Sequence, residues 1–141
     1  MNSTQDMKLE VVVIPVSDID RAKHFYEELG WRLDADLITG DGSRVVQFTP
    51  PGSPCSIHLR QRTADGGRSA GTWLIVSDVV AARNELIGRG AAVTGPFHFA
   101  AGQPGPAPGR DPNGRSYASF ASFTDPDGNG WLLQEIGRAH V

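Results

Sequence analysis

A chain of 141 residues that is 39% hydrophobic and 21% charged has the size of one globular domain with its own core. No apolar run approaches the ~20 residues of a membrane span, no charged-then-apolar leader opens the sequence, and a net charge of -3 without a basic block argues against nucleic-acid or membrane partners. The single cysteine, Cys55, excludes an internal disulfide framework and a multi-cysteine zinc site, which leaves a cytoplasmic protein as the expectation.

In chain order, Met1–Met7 reads as a tail. Val11–Val16 is a β-rich apolar run and predicts a buried strand. Ser17 or Asp18 can cap a following helix, and Asp20 adds negative charge to its first turn. Ala22, Phe25, Tyr26 and Leu29 then share one helical face, and Gly30 ends the helix. Trp31–Leu37, Arg44–Thr49 and Ser56–Gln61 read as strands, with turns at Gly40-Asp41-Gly42 and Pro50–Pro54. The pattern then repeats. Trp73–Val76 predicts a strand, Val79, Ala82, Arg83 and Leu86 take the helix positions, and Gly88 and Gly90 close it. Val93–Phe99, Ser116–Phe123 and Gly130–Ile136 predict three more strands, and Gly137–Val141 is a tail.

The repeat is visible in the letters. Val-Ser-Asp begins at Val16 and again at Val76, 60 residues on. Phe48-Thr49-Pro50-Pro51-Gly52 has its counterpart in Phe123-Thr124-Asp125-Pro126-Asp127-Gly128, 75 residues on. The 15-residue difference matches the size of a Gly/Pro-rich insertion around residues 102–114, where eight of thirteen positions are Gly or Pro. Such a segment cannot continue a helix or a central strand and predicts a structureless lid or surface loop. The expected fold is α+β: two tandem βαβββ units, 8–62 and 71–136, whose curled mixed sheets surround a concave cleft with the helices outside.

The opening Val16–Trp31, Val-Ser-Asp-Ile-Asp-Arg-Ala-x-x-Phe-Tyr-x-x-Leu-Gly-Trp, and the turn Asp125-Pro126-Asp127-Gly128-Asn129-Gly130 resemble the glyoxalase/bleomycin-resistance/extradiol-dioxygenase family, also called the vicinal oxygen chelate family. The likeness spans about residues 8–136. The family includes isomerases, lyases, dioxygenases, thiol transferases and antibiotic-binding proteins, so it specifies a fold and leaves the activity open. Metal-dependent members carry one ligand on the first and last strand of each unit, in a divalent site with open positions for a substrate bearing adjacent oxygens.

Carried over residue by residue, those ligand positions fall on Val11, His58, Gly71 and Leu132. Only His58 has a donor, and catalytic sites want about three protein ligands. The resemblance therefore implies a member without a metal or other cofactor. His98 and Glu135 are the candidates for a relocated ligand set. Strand alternation puts Glu135 on the face opposite Leu132, and His24 and His140 fall on a helix surface and in the tail.

Period-two alternation from the same positions gives an apolar, aromatic lining with few polar groups: Val11 and Val13; Ser56, His58 and Arg60; Gly71, Trp73 and Ile75; Leu132 and Gln134. Gln47 and Tyr117 are the polar candidates from the neighbouring strands. This is the profile of a site for a small organic molecule. His58 would act as a general base or donate a hydrogen bond to a ligand carbonyl. Arg60 would pair with a carboxylate, and Trp73 would stack on the ligand. No nucleophile elbow, phosphate-cradling loop or dinucleotide fingerprint is present. Enzyme and pure binding protein both remain open. The alternatives are a divalent-metal lyase, isomerase or dioxygenase with relocated ligands, and a scaffold subunit without ligand. The resemblance also implies a homodimer.

Overall fold

The computed structural model describes residues 5–64, 66–69 and 71–137. Contacts divide the chain between Gly66 and Gly67 into two compact units, each an α+β layer of one mixed sheet and one helix.

The first unit runs β1 (Val11–Val16), α1 (Ile19–Glu28), β2 (Arg32–Ile38), β3 (Arg44–Thr49) and β4 (Ser56–Gln61). The sheet order is β1-β4-β3-β2, with β1 parallel to β4 and the other pairs antiparallel. Asp18 keeps an extended backbone and accepts a 3.0 Å hydrogen bond from Arg21 N, which satisfies one of the free amides at the start of α1. Ala22 and Tyr26 are fully buried, Leu29 nearly so, and Phe25 stands edge-on to Tyr26 at the margin of the core. Gly30 reverses the chain at φ 82°, a region open to glycine at little cost. The helix covers one face of the sheet, where Ile14, Val16, Val46, Phe48, Ile57 and Leu59 are buried. The intervening residues, including Val13, Gln47, His58 and Arg60, project from the other face. Trp31 is not the first residue of β2. It is buried, its ring 5.2 Å from Tyr26, and the strand starts one residue later.

The second unit runs β5 (Thr72–Val76), α2 (Val79–Gly88), β6 (Val93–His98), β7 (Ala107–Pro108), β8 (Phe120–Thr124) and β9 (Gly130–Glu135), in the sheet order β5-β9-β8-β6-β7. Asp78 caps α2 by accepting from Val80 N and Ala81 N, both at 3.0 Å. Val79, Leu86, Ala121, Phe123, Trp131 and Leu133 form the core under the helix. Arg83 Nε donates to Gly95 O at 2.8 Å, tying α2 to an irregularity in β6.

Two expectations for this unit need correction. The predicted strand Ser116–Phe123 begins only at Phe120. Tyr117 takes φ 60° and its N–H donates to Glu135 O, so Ser116 and Tyr117 form a turn and the strand starts after Ser119. The loop 102–114 is also not structureless. It contributes β7, which pairs with Phe97 and His98, and His98 Nδ1 donates to Gly109 O at 2.8 Å. Buried Asp111 then accepts three hydrogen bonds from Arg115 and donates its own N–H to Ser119 Oγ. Side chains add to the backbone pairing of β7 in closing this loop. Of the expected tails, residues 1–4 and 138–141, with His140, lie outside the described residues. Gly137 is packed: a Cβ there would fall 2.4 Å from Ser116 Cα.

Candidate functional site: the open sheet faces

On the helix-free face of the first sheet, the register lines up Val13, His58 and Gln47 across β1, β4 and β3. One step along the strands come Val11 and Ser56, and one step the other way Pro15 and Arg60. Val13 is 54% exposed, whereas Ser56 is nearly buried.

A continuous polar network crosses this face. His58 Nε2 lies 2.8 Å from Gln47 Oε1. Gln47 Nε2 donates to Asp34 Oδ2 at 3.2 Å, Arg32 Nε donates to Asp34 Oδ1 at 2.6 Å, and Thr49 Oγ1 donates to the same carboxylate. Ser56 Oγ lies 2.6 Å from Thr49 Oγ1. Burial works against ionisation of Asp34, but the hydrogen bonds from Thr49, Arg32 and Gln47 outweigh it and hold its carboxyl below the ordinary range. Burial, with a smaller contribution from the Arg60 charge, holds His58 below its ordinary value of 6.5. The imidazole is therefore neutral at pH 7. Among the described residues nothing bonds its Nδ1.

Arg60 also lines a recess of about 700 Å³ with Ser17, Asp20, Ser43, Arg44 and Thr63. Its walls are polar, and Arg44 is already held there by Asp20 and Asp36.

The open face of the second sheet differs in character. Trp73 and Ile75 on edge strand β5 are 53% and 50% exposed. The register places Trp73 beside Leu132 and Ser122, and Ile75 beside Gln134, Phe120 and Phe97. Phe97 stacks on Phe120 with centroids 5.8 Å apart, and Phe99 meets Phe120 edge-on at 5.5 Å while staying largely exposed. Gln134 Nε2 donates to Tyr117 O at 3.0 Å. Tyr117 thus meets Gln134 through its carbonyl, from a turn rather than from a strand. Gly71 precedes β5, is exposed, and has open space where a side chain would be.

Sequence reasoning missed Asp34, Phe97, Phe99 and Phe120. The signal for the phenylalanines was their spacing, two residues apart at 97 and 99. For Asp34 it was an acid between Leu33 and Ala35, which the β2–β3 register shift brings to Gln47.

The residues present do not fit the divalent ion of metal-dependent relatives. The side chains of Val11, Gly71 and Leu132 have no donor atom, which leaves His58 alone. Neither relocated candidate joins it. His98 bonds Gly109. Glu135 is 3% exposed on the helix side, where Oε2 accepts from Val79 N and Oε1 from Arg110 Nη2, each at 2.8 Å. His24 lies out on α1 beside Glu28. Among the described residues no three His, Cys, Asp or Glu side chains gather into a metal-binding group, and no helix is long and apolar enough to cross a membrane.

The model of the Glyoxalase/Bleomycin resistance protein/Dioxygenase superfamily matches residues 8–133. Among solved structures, the chain is similar to TnmS3, an antibiotic binding protein from Streptomyces sp. CB03234, at 30% identity and TM-score 0.74, covering 96% of this chain and 100% of that one. A glyoxalase/bleomycin resistance protein from the same organism is 31% identical with TM-score 0.68, covering 91% and 100%. A superfamily member from Sphaerobacter thermophilus DSM 20745 is 28% identical with TM-score 0.69, covering 92% and 98%. Among curated proteins there is no significant match. The paired α+β units and the family match agree, and the chain belongs to the glyoxalase/bleomycin resistance protein/dioxygenase superfamily.

Proposed function

We propose that this protein binds a small, partly apolar organic molecule without a metal ion, using the open strand faces of its units. The observation that carries this reading is the solvent-facing aromatic surface of the second sheet. There Trp73, Ile75 and Phe99 are each at least half exposed beside Phe97 and Phe120. Exposing so much aromatic area costs free energy, and a flat apolar ligand would recover it. The antibiotic-binding description of a relative 30% identical over nearly the whole chain supports the same ligand class.

The open face of the first sheet offers Gln47, Ser56, His58 and Arg60 as polar groups beside Val11 and Val13, and that of the second, taken by itself, offers Trp73 and Leu132 as contact area with Gly71, Tyr117 and Gln134 around them. Neutral His58 is a base ready to take a proton from a bound ligand, so proton transfer belongs to the proposal alongside sequestration. The same reading takes 8–62 and 71–136 as the halves of one domain, acting as a cytoplasmic homodimer that binds no nucleic acid. The net charge of -3 supports the absence of a nucleic-acid partner, and the lone free cysteine supports a reducing compartment.

A panel of planar aromatic compounds, followed by ¹H–¹⁵N spectra, tests the reading. Hits should move the Trp73 indole resonance, persist in excess chelator, and weaken at least about tenfold in Trp73→Ala, since truncating a stacked indole removes more than the 1.4 kcal/mol that corresponds to a decade. Binding should hold at pH 7. A depressed histidine stays neutral until the pH falls below its ordinary value, so affinity for compounds that move the His58 resonances should drop only in acid, below 6.5. Hits that appear only on adding manganese or zinc would contradict the proposal.

A further inference from the structure

The network around His58 has a direction, because one of its members can only accept. Asp34 is ionised, held so by Thr49, Arg32 and Gln47, and a carboxylate has no proton to give. The group of Gln47 that faces Asp34 must therefore be its NH₂. That turns Gln47 Oε1 toward His58, and a carbonyl oxygen accepts. The proton of the His58–Gln47 bond then belongs to Nε2. A neutral imidazole carries one N–H, so Nδ1 is left with a lone pair and no hydrogen. Ser56 reinforces the arrangement: Thr49 gives its proton to Asp34 and so accepts from Ser56.

We propose that Asp34, acting through Gln47, locks His58 as the Nε2–H tautomer and so selects ligands that present an acidic hydroxyl to Nδ1. The selection rests on the ligand-binding reading above; the lock itself does not. In this lock Asp34 and Gln47 are positioning residues, since they act on the hydrogen bond at Nδ1 only through His58. The arrangement also decides between the two roles considered for His58. With its only proton committed to Gln47, the ring has none to give a ligand carbonyl, and it accepts instead. Phenols and enols fit this acceptor, and the corresponding methyl ethers lack the needed proton. Arg60, two residues along β4, places a positive charge on the same face, which favours a hydroxyl that gains negative character as it shares its proton.

Two measurements test the proposal. Two-bond ¹H–¹⁵N spectra of ¹⁵N-histidine protein at neutral pH read the tautomer directly, with the His58 signals assigned by their loss in His58→Asn. The native protein should show Nε2 protonated and Nδ1 bare. Asp34→Asn keeps the shape but can donate, so Gln47 is freed to present either end and the tautomers should mix. Second, 2-naphthol and 2-methoxynaphthalene differ at the hydroxyl proton. The native protein should bind the naphthol about tenfold more tightly, as one hydrogen bond from an acidic donor allows, and move the His58 ¹⁵N resonances. In Asp34→Asn that preference should fall to about two- to threefold.

A native His58 protonated at Nδ1, or a tautomer unchanged in Asp34→Asn, overturns the lock. Equal affinity for naphthol and ether overturns the selection with the lock intact. If neither compound binds, the selection fails together with the ligand-binding reading, and the tautomer spectrum still decides the lock.

Discussion

Phe48→Ala is expected to lower the stability of the protein by about 3–5 kcal/mol, the range for a large aromatic removed from a close-packed core. Phe48 is fully buried on the helix side of β3, pairs across the ladder with Ile57, and has its ring 5.9 Å from that of Tyr26, which is itself fully buried under α1. Tyr26 is fixed by Phe25 and Trp31, so the helix cannot settle into the space that a truncated side chain leaves. The cost should therefore lie toward the upper end, where cavity and lost transfer energy add. Urea unfolding followed by tryptophan fluorescence measures it. Leu33→Ala, at a 40% exposed position on edge strand β2, is the control and should cost no more than about 1 kcal/mol. Similar losses in the two variants would mean that the helix-covered face is not the packed side of the sheet.

Asp125→Ala should cost on the order of 3 kcal/mol, although Asp125 contributes nothing apolar. Its Oδ1 accepts from the backbone N–H groups of Asp127 and Asn129, each at 2.9 Å, and its Oδ2 accepts from Asn129 Nδ2 at 2.8 Å. All of these groups are buried. Alanine leaves three donors without that acceptor, and an unsatisfied buried donor costs about 1–3 kcal/mol. Asn129 in turn accepts from Ser69 N, so the damage should spread to the segment leading into β5. Thermal melting should fall by on the order of 10 °C, at about 2–4 °C per kcal/mol for a domain of this size. Asp125→Asn should cost less than Asp125→Ala, because its carbonyl oxygen can still serve the backbone donors while its amide opposes Asn129 Nδ2. A melting point unmoved by Asp125→Ala would sink the structural role given to this turn.

The Asp125–Gly130 motif that helped reveal the family is thus held by hydrogen bonds that make a turn. This explains why so much of the fold was legible in the sequence and so much less of the site. The bounds of β1, β3 and β4 follow local apolar runs between turn residues. The caps Asp18 and Asp78 use contacts within three residues. The internal repeat shows twice what each unit does once. Local signals failed where distant groups decide the outcome. The loop 102–114 is ordered by the pairing of β7 with distant β6 and by Ser119, Arg115 and His98 side chains, and the turn at Tyr117 by the Glu135 carbonyl. Gly/Pro content alone reveals none of these partners.

The same limit applies to the site. Alternation along one strand puts His58 on the face opposite Leu59. Whether Gln47 meets it depends on the β3–β4 register, and whether Asp34 meets Gln47 depends on a shift in the β2–β3 ladder. Both are properties of strand pairs. Phe97 and Phe120 likewise stack because an antiparallel register places them opposite each other.

Of the four positions that metal-dependent members use, three here, Val11, Gly71 and Leu132, have no side-chain atom that could hold an ion. Elemental analysis of protein purified without an affinity tag and without chelator addresses this directly. A metal-free site predicts divalent metal far below one equivalent per chain, whichever transition metal is supplied during expression. Close to one tightly held divalent ion per chain would contradict it and would assign the open strand faces to Lewis-acid or redox chemistry.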